Sequence, residues 1–114
     1  MKTKNILEIA IDALESMKAE DMKVLNVEHL TDLMSDMVVC TATSVTHSAA
    51  LAEHLQKQAK AFGLEILGVE GKNKSDWVLV DLGDVVVHIM SSETRALYQL
   101  EKLWDIRPNT PQEN

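Results

Sequence analysis

The chain has 114 residues, of which 46% are hydrophobic and 25% charged, and a formal net charge of −7. This length predicts one domain that buries enough surface to fold without metal or disulfide staples. Because nucleic-acid binding relies on Lys and Arg to neutralise phosphates, the acidic balance argues against direct RNA or DNA contact and favours a basic protein partner.

The cellular compartment is predicted from one cysteine and from the N-terminus. Cys40 has no second cysteine to pair with and lies in the apolar run 37–42, which predicts a buried, reduced thiol. The apolar stretch near the N-terminus is interrupted by Glu8, Asp12 and Glu15, so it predicts an amphipathic helix and not a signal peptide or membrane span. We therefore expect a cytoplasmic protein without membrane contact.

The first third of the chain predicts one helix and two strands. Apolar residues recur at helical spacing from Ile6 onward, with Thr3 or Asn5 available as the N-cap. Residues 22–27 and 37–42 each predict a short strand. The helix is expected to rest on the sheet that these strands begin.

A second amphipathic helix is predicted in the middle of the chain. Thr43 or Ser44 can cap its start, and Gly63 ends it. Residues 64–70 then predict a third strand, and the Gly- and Asn-containing residues 71–76 predict a turn. The expected buried stripe of this helix is Ser48, Leu51, Ala52, Leu55, Ala59 and Phe62.

Residues 77–90 predict a hairpin with a two-residue turn at Gly83 and Asp84, in which glycine occupies the position that needs positive φ. The predicted partners are Leu82 with Val85, Asp81 with Val86, Leu79 with His88 and Trp77 with Met90. Alternation then places an aliphatic set on one face: Val78, Val80, Leu82, Val85, Val87 and Ile89. The other side, called the hairpin face below, carries Trp77, Leu79, Asp81, Val86, His88 and Met90.

The last predicted helix begins with Ser92 as its cap and Glu93 in its first turn. Its expected buried stripe is Ala96, Leu97, Leu100, Leu103 and Trp104. Thr94, Tyr98, Glu101 and Asp105 are expected to form a flank. The sequence thus predicts one α/β domain over residues 1–106, with a mixed five-stranded sheet, flanking helices and the order α-β-β-α-β-β-β-α, followed by a frayed tail over residues 107–114.

Four segments, in this order and spacing, give the chain its resemblance to a known family. They are CTATS followed by His47, the pair Glu70 and Gly71 with Trp77 downstream, the hairpin DLGDVVVHIM, and R-x-x-Y-x-L-E-x-L-W from Arg95 to Trp104. The chain resembles the ribosomal silencing factors, also called Iojap-like or RsfS proteins, from the first helix through Trp104.

The resemblance implies a fold similar to that of nucleotidyltransferases, without established catalysis. It also implies binding to the large ribosomal subunit through its ribosomal protein number fourteen, on the face where the small subunit docks. Such binding would block subunit joining and repress translation when nutrients are short. Little direct RNA contact is expected, and homodimers occur in some members.

Three positions depart from the family pattern. Asn26 stands where Asp is frequent, Ala42 where Gly is frequent, and Thr46 where an Arg commonly precedes His47. The last two weaken a phosphate or RNA role for the loop before the second helix. The C-terminal hairpin and helix match the pattern throughout.

The candidate partner-binding residues are Tyr98, Trp77, Asp81, His88, Glu70, Arg95 and Glu101. Tyr and Trp combine large apolar area with a polar group, as contact hot spots do. Several candidates also have a structural alternative: a helix could cover Trp77, Glu70 could be an ordinary turn carboxylate, and Arg95 and Glu101 could be solvated helix charges. A satisfied structural histidine is the common alternative for His88, which we otherwise expect to face Asp81 diagonally across the hairpin.

The sequence predicts no catalytic residue, no cofactor and no metal site. The histidines show no paired spacing with Cys40, and His47 and His54 lie two helical turns apart. The alternative function is a small nucleotidyltransferase-like enzyme that uses Mg²⁺ and a nucleoside triphosphate. The loop CTATSVTH argues against it, because it lacks the glycines that let a backbone approach phosphate closely.

Overall fold

The computed structural model describes residues 5–71 and 76–98, with side chains up to Ala96. The elements in these ranges follow the predicted order. They are α1 (Ile6–Ser16), β1 (Glu20–Asn26), β2 (Asp36–Thr41), α2 (Val45–Ala61), β3 (Gly68–Glu70), β4 (Trp77–Asp81), β5 (Val85–Met90) and α3 (Ser92–Tyr98). The predicted stripe beyond Ala96, the tail and most of the turn before β4 lie outside the described residues.

The five strands form one mixed sheet in the order β1-β2-β5-β4-β3. The pair β2 and β5 is parallel, whereas every other neighbouring pair is antiparallel. Two adjacent parallel strands require a crossover connection, which α2, β3 and β4 provide here. The predicted α/β class with a mixed five-stranded sheet is confirmed, while the likeness to nucleotidyltransferase topology stays a prediction.

The hairpin formed by β4 and β5 has the predicted register. Trp77 pairs with Met90 and Asp81 with Val86, and the Leu82 N–H donates to the Val85 carbonyl at 2.9 Å. Gly83 has φ +93°, a conformation that other residues rarely adopt. The turn therefore fixes which side chains share a face.

The main core lies between the sheet and the helices α1 and α2. All six side chains of the predicted aliphatic hairpin face are buried in it. Ala10, Ala13 and Leu14 from α1 and Leu51 and Leu55 from α2 pack against them. Both predicted amphipathic helices thus rest on one face of the sheet, and no described helix is long and apolar enough to cross a bilayer.

Side-chain caps set where α1 and α2 begin. Asn5 Oδ1 accepts a hydrogen bond from the Glu8 N–H at 2.8 Å, and Glu8 returns one to the Asn5 N–H at 3.2 Å. Ser44 Oγ accepts from the His47 N–H at 3.0 Å. Caps of this kind contribute about 1 kcal/mol each.

Two histidines of α2 join it to the end of α1. His47 Nδ1 accepts from the Thr43 N–H at 2.9 Å, so its Nε2–H donates to the Met17 carbonyl at 2.9 Å. His54 Nε2 lies 3.0 Å from Ser16 Oγ. These side chains therefore link the two helices.

The second helix corrects the prediction at its end. Phe62, expected in the buried stripe, is the residue that follows Ala61 and is 49% exposed. Gly63 has φ +79° and ends the helix as predicted. The backbone has already left the helical path at Phe62, so its side chain no longer follows the buried stripe.

Two predicted strand boundaries are wrong. The third strand was expected over residues 64–70 but starts at Gly68, because the Leu64 N–H is still bonded to the Ala59 carbonyl of the preceding helix. The first strand was expected over residues 22–27 but starts at Glu20. Its pairing is irregular before Lys23.

The last helix differs from its prediction at the cap and on its buried side. Ser91, not Ser92, is the cap: its Oγ accepts from the Thr94 N–H at 3.1 Å, and its carbonyl accepts from the Arg95 N–H. Glu93 lies in the first turn as expected. Ala96, predicted to be buried, is exposed, whereas Arg95 is only 5% exposed.

The buried thiol of Cys40 leads to a prediction about its reactivity. Burial raises the pKa of this thiol to about 12, against the opposing influence of the Arg95 charge. Because the thiolate is the reactive form, we expect native protein to be alkylated at least about 10³-fold more slowly than unfolded protein. Mass spectrometry after timed iodoacetamide treatment, with and without denaturant, measures both rates. Equal rates would show that Cys40 is accessible in the folded chain.

Candidate functional site

The hairpin face lies on the side of the sheet opposite α1 and α2. Glu70 pairs with Leu79, and Leu79 pairs with His88, so these three side chains form a row across β3, β4 and β5. Leu79, Asp81, Val86 and Trp77 are half-buried, and Glu70 is exposed. Apolar and acidic groups are therefore presented together on rigid strands.

Trp77 and His88 form the central contact of the hairpin face. The Trp77 Nε1–H donates to His88 Nδ1 at 2.9 Å, and the two ring centroids are 5.9 Å apart. His88 faces Asp81 diagonally as expected, but its Nδ1 is bonded to Trp77, which lies on the other diagonal. An Nδ1 that accepts a hydrogen bond leaves the ring proton on Nε2.

Burial keeps the His88 ring neutral. The side chain is 6% exposed, and the loss of solvent lowers its pKa from the ordinary value of 6.5 to about 4. A neutral imidazole can accept from the indole N–H, whereas the protonated form would present a second donor to it. His88 thus stabilises the position of Trp77 instead of supplying a charge.

Asp81 has a local structural partner. Its Oδ1 accepts from the Gly83 N–H at 2.9 Å, which stabilises the tight turn of the hairpin. The residue remains half-buried at the outer end of the face, with Gly68 opposite it on β3. Asp81 and Glu70 therefore contribute two carboxylates to this part of the surface.

A second apolar cluster supports the inner end of the hairpin face. Its buried members are Leu25, Val27, Met37, Val39 and Met90. Trp77 and Met34 pack against this cluster and are partly exposed. Trp77 therefore has apolar support beneath it and a hydrogen bond at its polar edge, which together hold the ring in place.

Arg95, a predicted partner-binding residue, makes internal contacts. Its Nη1 donates to Thr41 Oγ1 at 2.9 Å and to the Asp21 carbonyl, and it lies 3.6 Å from Asp21 Oδ2. Asp21 has φ +48° in the irregular part of β1. Arg95 thereby connects α3 to β1 and β2.

The structure brings together four of the seven predicted site residues: Glu70, Trp77, Asp81 and His88. Arg95 lies apart from them in its internal network. Tyr98 is the last described residue of α3, and its side chain lies outside the described residues, as does the whole of Glu101. The role of all seven residues in partner binding stays a prediction.

The chemistry of the hairpin face suits contact with another macromolecule. Within residues 5–71 and 76–98, no three His, Cys, Asp or Glu side chains converge as metal ligands. The half-buried side chains of Leu79, Val86 and Trp77 offer apolar area, and Glu70 and Asp81 offer acceptors for basic groups. This combination of an apolar centre and a charged rim is typical of protein interfaces.

A family model described as "Ribosomal silencing factor during starvation" matches residues 1–114. The Ribosomal silencing factor RsfS of Haemophilus influenzae is 39% identical over 99 residues, which cover 87% of this chain and 97% of that protein. Protein Iojap of the Zea mays chloroplast is 32% identical over 92 residues, covering 81% of this chain and 40% of that protein.

A crystal structure of a Chromobacterium violaceum protein is similar to the present fold. The two share 40% sequence identity and superpose with a TM-score of 0.87. The match covers 96% of this chain and 92% of that one. The arrangement of helices and strands described above is therefore shared with a solved structure.

The buried imidazole predicts a dependence of stability on pH. The folded-state pKa of His88 lies below the unfolded value, so the unfolded chain takes up the proton first and folding stability falls as pH drops from 6.5 toward 4. Between about pH 7 and about pH 4.5 this loss is roughly 2 to 3 kcal/mol. His88→Gln keeps an acceptor for Trp77 but removes the titrating group. Over the same pH range, we therefore expect the free energy of unfolding of this variant to fall by less than that of the wild type, and the difference should equal the loss given above.

Urea unfolding of both proteins across this pH range measures the difference. His29→Gln is the matched control, since His29 is exposed and should leave the pH dependence as in the wild type. Parallel pH profiles for the wild type and His88→Gln would contradict a neutral, buried His88.

Proposed function

The chain belongs to the family of ribosomal silencing factors, and from this membership we propose that it represses translation in the cytoplasm by binding the large ribosomal subunit. We propose ribosomal protein number fourteen as its partner and the hairpin face, with the end of α3, as its contact surface. Occupation of the intersubunit face would then keep the small subunit from docking.

The observation that carries this proposal is the composition of the hairpin face. Three half-buried apolar side chains, Trp77, Leu79 and Val86, lie beside the carboxylates of Glu70 and Asp81. Apolar area supplies binding free energy when it is desolvated, and the carboxylates select a basic partner. Proteins that line ribosomal RNA are rich in Lys and Arg, since they must neutralise phosphates.

Preorganisation supports the same assignment. The Trp77 ring is held by His88 and by the second apolar cluster, and Leu79 and Val86 lie on paired strands. Side chains that are already ordered lose little conformational entropy on binding, which improves affinity for a given contact area. The hairpin face is therefore suited to docking as a rigid unit.

Steric exclusion requires only a folded body that stays in place. The protein has principal extents of 43 × 36 × 21 Å. We accordingly propose that it acts without catalysis. Calorimetry with a nucleoside triphosphate and Mg²⁺ tests the alternative enzyme, for which strong binding of both would be required.

Self-association is a further proposal about the same surface. A homodimer that buries the hairpin face would compete with the ribosomal partner. Light scattering over a dilution series, with and without large subunits, distinguishes the two uses of the face. Dimer dissociation on addition of subunits would support competition, whereas a dimer bound to the subunit would exclude it.

We expect the double variant Glu70→Lys and Asp81→Asn to bind large subunits about tenfold more weakly at low salt, with a smaller difference at high salt. Asn keeps the side-chain oxygen that accepts from Gly83, so the turn is retained while the charge is lost.

We also expect Tyr98→Ala to abolish co-sedimentation of the protein with large subunits. Sucrose-gradient sedimentation with purified subunits measures binding and the fraction of joined ribosomes.

The control variant is Glu53→Lys, a charge reversal on the exposed side of α2 and away from the hairpin face. It should bind and block joining as the wild type does. If the wild type at saturating excess leaves the joined fraction unchanged, the silencing proposal fails. If it blocks joining but the Glu70 and Asp81 variant is equally effective, the contact surface has been assigned to the wrong face.

A further inference from the structure

A cavity of about 450 Å³ lies where β2 and β5 end, between the starts of α2 and α3. The two strands are parallel neighbours, and their following helices leave toward opposite faces of the sheet. α2 covers the main core, whereas α3 places Arg95 on Thr41, whose side chain shares the face of Met90. Such a divergence opens a crevice at the carboxyl ends of the strands, a common location of ligand sites.

Hydroxyl groups dominate the lining of this cavity. Its volume lies within the range of small-molecule sites, roughly 300–1,000 Å³. The remaining described lining residues are three exposed carboxylates and two small apolar side chains. The hydroxyl-bearing residues are Thr41, Thr43, Ser44, Ser48, Ser91 and Ser92.

Ser48 is the feature that points to a ligand. The residue is 5% exposed, and its Oγ has no hydrogen-bond partner among the described residues. A buried hydroxyl in this state destabilises the folded protein, and native structures contain few of them. Because Ser48 lines the cavity, a polar ligand bound there could supply the partner.

The start of α2 provides a complement for a negative group. Ser44 caps the His47 N–H, which leaves the N–H groups of Val45 and Thr46 at the positive end of a 17-residue helix. The first turn of this helix contains no acidic residue, unlike those of α1 and α3. A carboxylate or phosphate is favoured at such a helix end.

Carboxylates occupy the rest of the rim. Glu20, Asp76 and Glu93 line the cavity, and its described lining residues include no Lys, Arg or His. These carboxylates favour a cation and disfavour a ligand with several negative charges. The cavity therefore suits a molecule with one negative group toward α2 and one positive group toward the rim.

We propose that this cavity binds a small zwitterion with one carboxylate and one ammonium group, the chemistry of a free amino acid. The carboxylate accepts from the start of α2 and from the Ser48 hydroxyl, and the ammonium group donates to the rim carboxylates. This activity is separate from ribosome binding and is measured on the full chain alone, so it stands or fails independently of the proposed function.

Saturation-transfer NMR with pools of the protein-forming amino acids tests the proposal, followed by calorimetry with the members of a pool that binds. We expect at least one amino acid to bind. Val45→Asp places a carboxylate in the first turn of α2, where it favours the helix but repels the ligand, so we expect at least about tenfold weaker binding. Val45→Asn introduces a side chain of nearly the same shape as Asp but without the charge. Its affinity for the amino acid should stay within about threefold of that of the wild type.

Ser48→Ala separates a ligand contact from a structural one. Removing a buried hydroxyl without a partner should leave Tm unchanged or raise it by up to about 5 °C, while weakening amino-acid binding about tenfold. Ser16→Ala, which removes a hydroxyl outside the cavity, should leave amino-acid binding unchanged.

Three results would overturn the proposal. The first is no binding from any amino-acid pool. The second is tight binding of inorganic phosphate, or of a nucleoside triphosphate with Mg²⁺, that Val45→Asp abolishes, because the cavity would then be a site for multiply charged anions. The third is a lower Tm for Ser48→Ala with amino-acid binding unchanged, because Ser48 would then have a structural partner.

Discussion

The two-residue turn at Gly83 and Asp84 determines how the hairpin is divided between core and surface. Side chains alternate along a strand, so a shift of one residue in the pairing of β4 and β5 would exchange its two faces. The aliphatic face would then be exposed, and Asp81 and His88 would lie in the main core beneath the two helices. Burial of a carboxylate without a partner is far more costly than any contact it could gain there. The positive φ of Gly83 and the bond from its N–H to Asp81 together hold the observed register.

This register also explains why a histidine lies in an otherwise apolar region. His88 is opposite Leu79, and its two diagonal neighbours on β4 are Trp77 and Asp81. Asp81 already accepts from the turn, whereas the indole N–H of Trp77 needs an acceptor in a place with little water. The neutral imidazole supplies that acceptor. The bond orients a large aromatic ring at the edge of the second apolar cluster, where its exposed part can face a partner.

Local patterns were sufficient to predict most of the fold. Alternating residues predicted the hairpin and its two faces, and helical spacing predicted α1 and α2, while only the structure selects Asn5 over Thr3 and Ser44 over Thr43 as their caps. The pairing of β2 with β5 could not be derived in this way, because it joins segments that are far apart in the chain. The same limit applies to the short third strand, whose start depends on how α2 ends at Gly63.

The candidate site was predictable where it lies on a single hairpin and not where it depends on distant contacts. Trp77, Asp81 and His88 share a face because of one register, whereas the internal role of Arg95 requires Thr41 and Asp21, which are 54 and 74 residues away. In the sequence, Arg95 is one more charge on a short helix. Its burial becomes favourable only after β1 and β2 have brought a hydroxyl and a carbonyl to the same place.

Thr41 connects the two surfaces of the molecule that carry chemistry. Its hydroxyl accepts from Arg95, which fixes the orientation of α3, and the same residue lines the cavity at the ends of β2 and β5. The start of α3 contributes Ser91 and Glu93 to that cavity, while its other end carries Tyr98. The described part of α3, Ser92–Tyr98, is about two turns long, so the residues that line the cavity and Tyr98 lie along one helix. The cavity and the proposed contact surface therefore share one helix, which the hydrogen bonds of Arg95 attach to β1 and β2.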